Sequence, residues 1–335
     1  MTNIGREYQH IEDLVITRGV EGAHLAASTL NLISKNPTIL DYKWDGVASI
    51  FWGRHENGSF GLYPKNQWRK GMPLTKPELL KEILTTNLSQ GFSVRSELAK
   101  RYELLWNKLE KHTPTTFKGF LNGDLLHCSH NPCNLTSIKP NKIVYNTDIC
   151  TSTLIAVHGI VDSFGVPVSN NIREYCDLLS QNSELYLIPT CHPAGEIRIR
   201  TDLIDEVVKC ESSIRNITEF SVPKFSTIQT VLYKYSTAYS KTNITIQDWI
   251  EQCSLSDFQK NHVKELIKTS DWSKFWQIFT LLQQEKHVIL QTLLPNSIQG
   301  ITAITNNQPG GEGFVLTLAD GSLGKLINPE FRKMI

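Results

Sequence analysis

Four short segments gather residue types suited to phosphate chemistry: Lys43-Trp44-Asp45-Gly46, Gly123-Asp124-Leu125, Glu312-Gly313-Phe314-Val315 and Gly324-Lys325-Leu326. A lysine beside a strand and turn, an acid on a second strand, an acid on a third and a lysine on a fourth can converge on one nucleotide phosphate and its metal ion. Each piece alone also has a plain structural use. Asp-Gly pairs make turns, Asp124 after Gly123 fits a turn aspartate, and Lys325 fits a strand-edge lysine that discourages aggregation. Order and strand context lift the set above its parts. Two other clusters carry weaker signals. HCSHNPC holds His127, Cys128, His130 and Cys133, but no second Cys or His pair with zinc spacing follows, so it reads as a loop after the Asp124 strand. YPKNQWRKG holds Lys65, Trp68, Arg69 and Lys70, either a phosphate and base platform or a charged turn.

In order and context the four segments resemble motifs I, III, IV and V of the covalent nucleotidyltransferase superfamily, which contains ATP-dependent DNA ligases, RNA ligases and mRNA-capping guanylyltransferases. The resemblance covers separated patches from about Asp41 to Ile327, and the stretch 165–305 contributes nothing to it. It implies that Lys43 is the nucleophile that takes AMP from ATP, forming a lysyl phosphoramidate and releasing pyrophosphate. Such an amine must be neutral, and a free lysine titrates near about 10.4, so desolvation and a nearby cation are expected to lower its pKa. Lys325, with Mg²⁺ or Mn²⁺, is expected to stabilise charge building on the α-phosphate. Glu312 matches the motif IV acid that holds the metal. Asp124 matches the motif III acid, implying ribose or metal contact, with Asp in place of the more usual Glu. Asp41 stands where many relatives keep a Glu that meets the adenine amino group, and Arg54 is a candidate for ribose or terminal-phosphate contact, or a surface residue. His158 aligns with the aromatic that stacks on the base, with Phe164 the alternative; a His in an apolar strand equally fits a core residue with a satisfied ring nitrogen. Motif V is thinned, since Leu323 and Ile327 flank Lys325 where relatives carry a second lysine, so an arginine from elsewhere is expected to replace it.

The elements that must position these residues follow from patterning. Residues 21–35 place Ala23, Ala26, Leu30 and Ile33 at helical spacing, ended by Asn36-Pro37. TILDYKWDGVASIFWGR and SFGLYPK read as strand, turn, strand around Asp45-Gly46 and Asn57-Gly58. Residues 95–111 return to helix, with Leu98, Tyr102, Leu105 and Leu109 on one side and Lys100, Arg101, Lys108 and Lys111 elsewhere. Strands are predicted at 117–126 and 153–161. Long helical patterns fill 225–294, clearest at Trp272, Phe275, Trp276, Phe279 and Leu282, with Ser270 as N-cap and Pro295 as stop. A hairpin at Asp320-Gly321 closes the pattern.

The expected fold is α+β: an antiparallel-sheet nucleotidyltransferase core of the ATP-grasp-like ligase adenylation type, with a helical insertion. Residues 1–165 and 300–335 form the adenylation domain, and 166–299 form the insertion, mainly helical from about 225. With the chain stopping ten residues after Lys325, no C-terminal OB-fold is expected. Across 335 residues, 34 Lys plus Arg against 33 Asp plus Glu argue against bulk electrostatic coating of nucleic acid. No apolar run approaches membrane-span length, the start MTNIGREYQH lacks a signal-type apolar core, and seven scattered cysteines fit reduced thiols. The cytoplasm, a host's if the chain is viral, is the expected compartment. The resemblance therefore implies a compact, viral or phage-like ATP-dependent polynucleotide ligase joining 5′-phosphate and 3′-hydroxyl ends, with RNA favoured over nicked DNA. The alternatives are a GTP-using, capping-type transferase and a catalytically silent nucleic-acid-binding or assembly module.

Overall fold

The computed structural model describes residues 8–68, 70, 75–86, 91–162, 164–169, 172–180, 183–189, 191–220 and 228–334. In chain order the elements begin with β1 (Gln9–His10), α1 (Leu14–Lys35), a 3-10 turn (Pro37–Ile39), β2 (Asp41–Lys43), β3 (Ser49–Arg54) and β4 (Phe60–Pro64). Then come α2 (Lys65–Trp68), α3 (Lys76–Thr85), α4 (Phe92–His112), β5 (Gly119–Ile138), β6 (Val144–Val161), β7 (Pro167–Ser169), α5 (Ile172–Leu179) and β8 (Tyr186–Ile188). Helices α6 (Leu203–Thr218), α7 (Ile228–Thr242), α8 (Ile246–Gln252), α9 (Asp257–Leu266) and α10 (Ser270–Leu293) follow. The chain closes with β9 (Thr302–Thr305), β10 (Gln308–Pro309), β11 (Gly313–Thr317), β12 (Leu323–Ile327) and α11 (Pro329–Met334). The fold is α+β with mainly antiparallel sheets; β1 with β12 and β6 with β8 are the parallel pairs among the described strands. None of the described helices is long and apolar enough to cross a membrane.

Two compact units share the chain. The first takes 44–191 and 297–309, and the second takes 7–43, 192–296 and 310–335. The stretch 166–299 is therefore not a unit of its own, because α6 and α10 pack with α1 while β7, α5 and β8 stay with the first sheet. The first unit is built on the sheet β10-β9-β6-β5-β3-β4. One face of it covers an apolar core with α3, α4 and α5, in which Ile50, Trp52, Leu121 and Leu105 are buried. The strands β5 and β6 run well beyond the predicted 117–126 and 153–161, so the HCSHNPC segment is strand rather than loop. Lys108 is also not on the outer face of α4: it is buried, and its Nζ donates to Ser152 Oγ and the His130 carbonyl.

The second unit is built on the sheet β1-β12-β11-β2 and the long helices. Helix α1 starts seven residues before the predicted 21, at Leu14, across a break at Gly19, whose φ of 60° suits glycine. Ala23, Ala26, Leu30 and Ile33 are buried as their spacing predicts. Thr269 rather than Ser270 caps α10, its Oγ1 accepting from the Trp272 amide at 3.2 Å. Trp276 stacks between Trp272 and Phe279, and Tyr235 closes on it at 4.7 Å, so the helices are packed by their own aromatics.

Candidate functional site

Strand alternation sorts the second unit's sheet into two faces. Tyr42, Phe314 and Leu326 lie in one cross-strand row, all buried, with Tyr42 edge-on to Phe314 at 5.7 Å. The neighbouring row runs Asp41, Val315, Lys325 and His10, and Lys43 sits opposite Gly313 one step along the same face. The apolar row thus anchors the three strands, and the polar row brings Asp41, Lys43 and Lys325 onto one surface. Glycine makes this possible at one point: Gly313 has φ of 145°, and a Cβ there would meet the Leu326 carbonyl oxygen at 2.0 Å.

The Lys43 ammonium forms an ion pair with the Glu312 carboxylate, on a glutamate that is largely buried. Asn328 fixes the backbone on which Glu312 rides: its amide donates to the Glu312 carbonyl at 2.8 Å and its Nδ2 donates to the Gly311 carbonyl at 3.1 Å. Burial lowers the Lys325 pKa, the charges of Arg332 and Lys43 add to the fall, and Asp13 and Glu312 oppose it. Arg332 is thus an arginine from outside the four segments whose charge reaches Lys325. Asp41 pairs with His192, Oδ1 to Nδ1 at 3.2 Å, and the same nitrogen lies 3.1 Å from the Leu40 carbonyl.

Beside Lys325 lies a buried ionic cluster. Glu12 meets Lys286, and Arg332 approaches Glu12 at 3.4 Å and Asp13 at 3.9 Å. Burial would raise the Glu12 carboxyl, but Lys286, His10 and Arg332 outweigh it and hold the pKa at about 2. Burial, then the Glu12 charge, push Asp13 up to about 7 against Arg332 and a 3.0 Å hydrogen bond from Ser236. Sequence reading missed this cluster, and missed His192 and Asn328. Only Asn328 left a local signal, an Asn-Pro-Glu helix start in which its Oδ1 accepts from the Glu330 amide.

The remaining predicted residues belong to the first unit. Asp124 on β5 and His158 on β6 pair at 3.0 Å, Oδ2 to Nε2, so His158 has a satisfied ring nitrogen. His158 falls where the β5–β6 register slips, between Gly159 and Val157. Phe164 is 84% exposed in a turn held by Asp162. Arg54 is engaged by backbone carbonyls. Its guanidinium donates to the carbonyls of Gly58, Glu110 and Thr113 and lies over the Phe60 ring, which ties the β3–β4 turn to the end of α4. Asp45 is buried rather than a plain turn former: it accepts from Asn141 Nδ2 and the amides of Lys142 and Ile143, and its own amide donates to Tyr145. Gly46 lies so close to β5 that a Cβ would meet Asp124 Cβ at 2.7 Å. In the YPKNQWRKG segment, Trp68 stacks on Phe51 at 4.6 Å instead of offering a free ring; Arg69 lies outside the described residues.

Among the described residues no group of three or more His, Cys, Asp or Glu is arranged to hold a metal, HCSHNPC included. A Mg²⁺ ion that keeps its waters and bridges substrate phosphates needs only one or two protein carboxylates, and Glu312 beside Lys43 fits that demand. Scans against protein-family models, curated proteins and solved structures find no match for this chain.

Proposed function

We propose that the chain is an ATP-dependent polynucleotide ligase acting through a lysyl-AMP intermediate on Lys43. The observation that carries the reading is Lys43 in contact with Glu312 on the sheet face that also bears Lys325. In the first step the neutral Lys43 amine attacks the α-phosphorus of ATP. A P–N bond forms, the bond to the β-phosphate oxygen breaks, and pyrophosphate leaves with the electron pair. Glu312, already in contact with the ammonium, is placed to receive the proton the amine must shed. Lys325 supplies positive charge to the α-phosphate oxygens, and Arg332, buried against Glu12, bears on it through its charge alone. Mg²⁺ held by Glu312 and water would neutralise further phosphate charge. AMP then passes to a 5′-phosphate end, and a 3′-hydroxyl displaces it to join the strands, RNA ends being favoured.

A second reading, a catalytically silent nucleic-acid-binding module, draws on the partners of the other residues. Arg54 is engaged with backbone carbonyls, Asp124 with His158, and Asp41 with His192. Incubation with labelled ATP or GTP and Mg²⁺, followed by denaturation, separates the readings. Retained label from ATP supports the ligase, retained label from GTP supports a capping-type enzyme, and salt-sensitive oligonucleotide binding without any adduct supports the silent module.

A further inference from the structure

The first unit holds a cavity of about 380 Å³ where α2, α3 and α4 meet the start of β3 and the end of β4. Its apolar lining is Leu79, Ile83, Leu98 and Tyr102, and Tyr102 is buried deeply enough that its hydroxyl pKa is pushed up to about 12. Two cations, Lys65 and Arg95, also line it, against one carboxylate, Glu82. Glu82 is already engaged, accepting a 2.8 Å hydrogen bond from Gln67, whose side chain is buried. Arg95 spends one guanidinium nitrogen on the Leu84 carbonyl at 2.7 Å, while its Nε–H is buried with no acceptor among the described residues. A buried donor left unmade is costly, and the charged fork of an arginine matches a carboxylate in shape. The cavity is of ligand size and is lined by both apolar and charged residues.

We propose that this cavity is a binding site for a small organic carboxylate with an aromatic or branched apolar body, its acid end on Arg95 and its body against Leu79, Ile83 and Leu98. The site is independent of the Lys43 reading, because none of these residues belongs to the second unit's sheet face.

The test is titration of the full chain with phenylacetate, followed by saturation-transfer NMR and calorimetry in the absence of nucleotide. Phenylacetamide, which lacks the charge, and acetate, which lacks the ring, serve as comparison ligands. Saturable phenylacetate binding is expected, weakened roughly tenfold by the amide replacement and by Arg95→Gln, as loss of a charge-assisted hydrogen bond predicts. Leu98→Trp, which fills the cavity, is expected to abolish it. Thermal melting checks that each variant folds; if Arg95→Gln does not, Arg95→Lys takes its place, with several-fold weakening expected from loss of the planar fork. Equal binding of phenylacetate and phenylacetamide, unchanged affinity in the folded cation variant, retained binding in Leu98→Trp, or no saturable binding at all would overturn the proposal.

Discussion

A lysine attacks phosphorus only after losing its proton, so what stands beside Lys43 decides whether it can be a nucleophile. Glu312 stands there, and Lys325 shares the sheet face. Glu312→Gln keeps the shape but cannot take the proton, and offers a hard cation only a neutral carbonyl oxygen. Single-turnover labelling from ATP is expected to slow by about 10²-fold in that variant, the scale of a lost acid–base or electrostatic contact. Lys325→Met is expected to slow the same step comparably, and Lys325→Arg to restore part of the rate. Labelling at the native rate in Lys325→Met would leave Lys325 with only a strand-edge role. At this scale the sequence was legible where a residue sits on a strand or directly beside one, as Lys43, Lys325 and Glu312 do. It was not legible where the partner arrives from far along the chain. Nothing in the spacing tells that His192 meets Asp41 or that Arg54 spends its donors on Gly58, Glu110 and Thr113.

Each unit contains a buried polar device that patterning does not reveal. In the first unit Asp45 binds the 141–143 turn with three accepted hydrogen bonds. Asp45→Ala leaves buried donors unmade and is expected to destabilise that unit by about 2–4 kcal/mol in chemical denaturation. In the second unit Lys286 and Glu12 form a fully desolvated pair between α10 and the β1–α1 turn. Lys286→Met strands the Glu12 charge and is expected to cost about 3–5 kcal/mol, with part of the loss regained when Glu12→Gln is added. Asp13 adds a pH signature. Its folded pKa, raised to about 7 from 3.8, means that the folded state holds the proton more tightly. That contribution is complete below pH 3.8 and is lost as pH rises towards 7. Glu12, His10, Lys286 and Arg332 surround it, so the comparison is differential: stability of the native chain relative to Asp13→Asn should fall across that window and level off above it. A flat difference would mean that Asp13 titrates normally. Helix periodicity was legible because burial is a local stripe, as at Ala23, Ala26, Leu30 and Ile33. The cluster was not, since Glu12 and Lys286 look like any surface pair until α10 packs beside α1.

At the scale of the molecule, neither unit is continuous in sequence. The second draws its sheet from both ends of the chain, β1 and β2 from the start and β11 and β12 from the finish. This is why a linear division into a core and an inserted helical stretch does not match the two compact bodies. Removing 310–335 takes away β11, β12 and α11, so hydrogen exchange should show α1 and α10 losing protection while β5 and β6 keep theirs. Unchanged protection in α1 would mean that the helices stand without the sheet. Most directly, the central claim is tested by incubating the purified chain with ATP and Mg²⁺, measuring its intact mass and mapping any adduct to a residue. One added AMP on Lys43, absent in Lys43→Ala, is the expected result; no adduct, or an adduct on a different lysine, would contradict it.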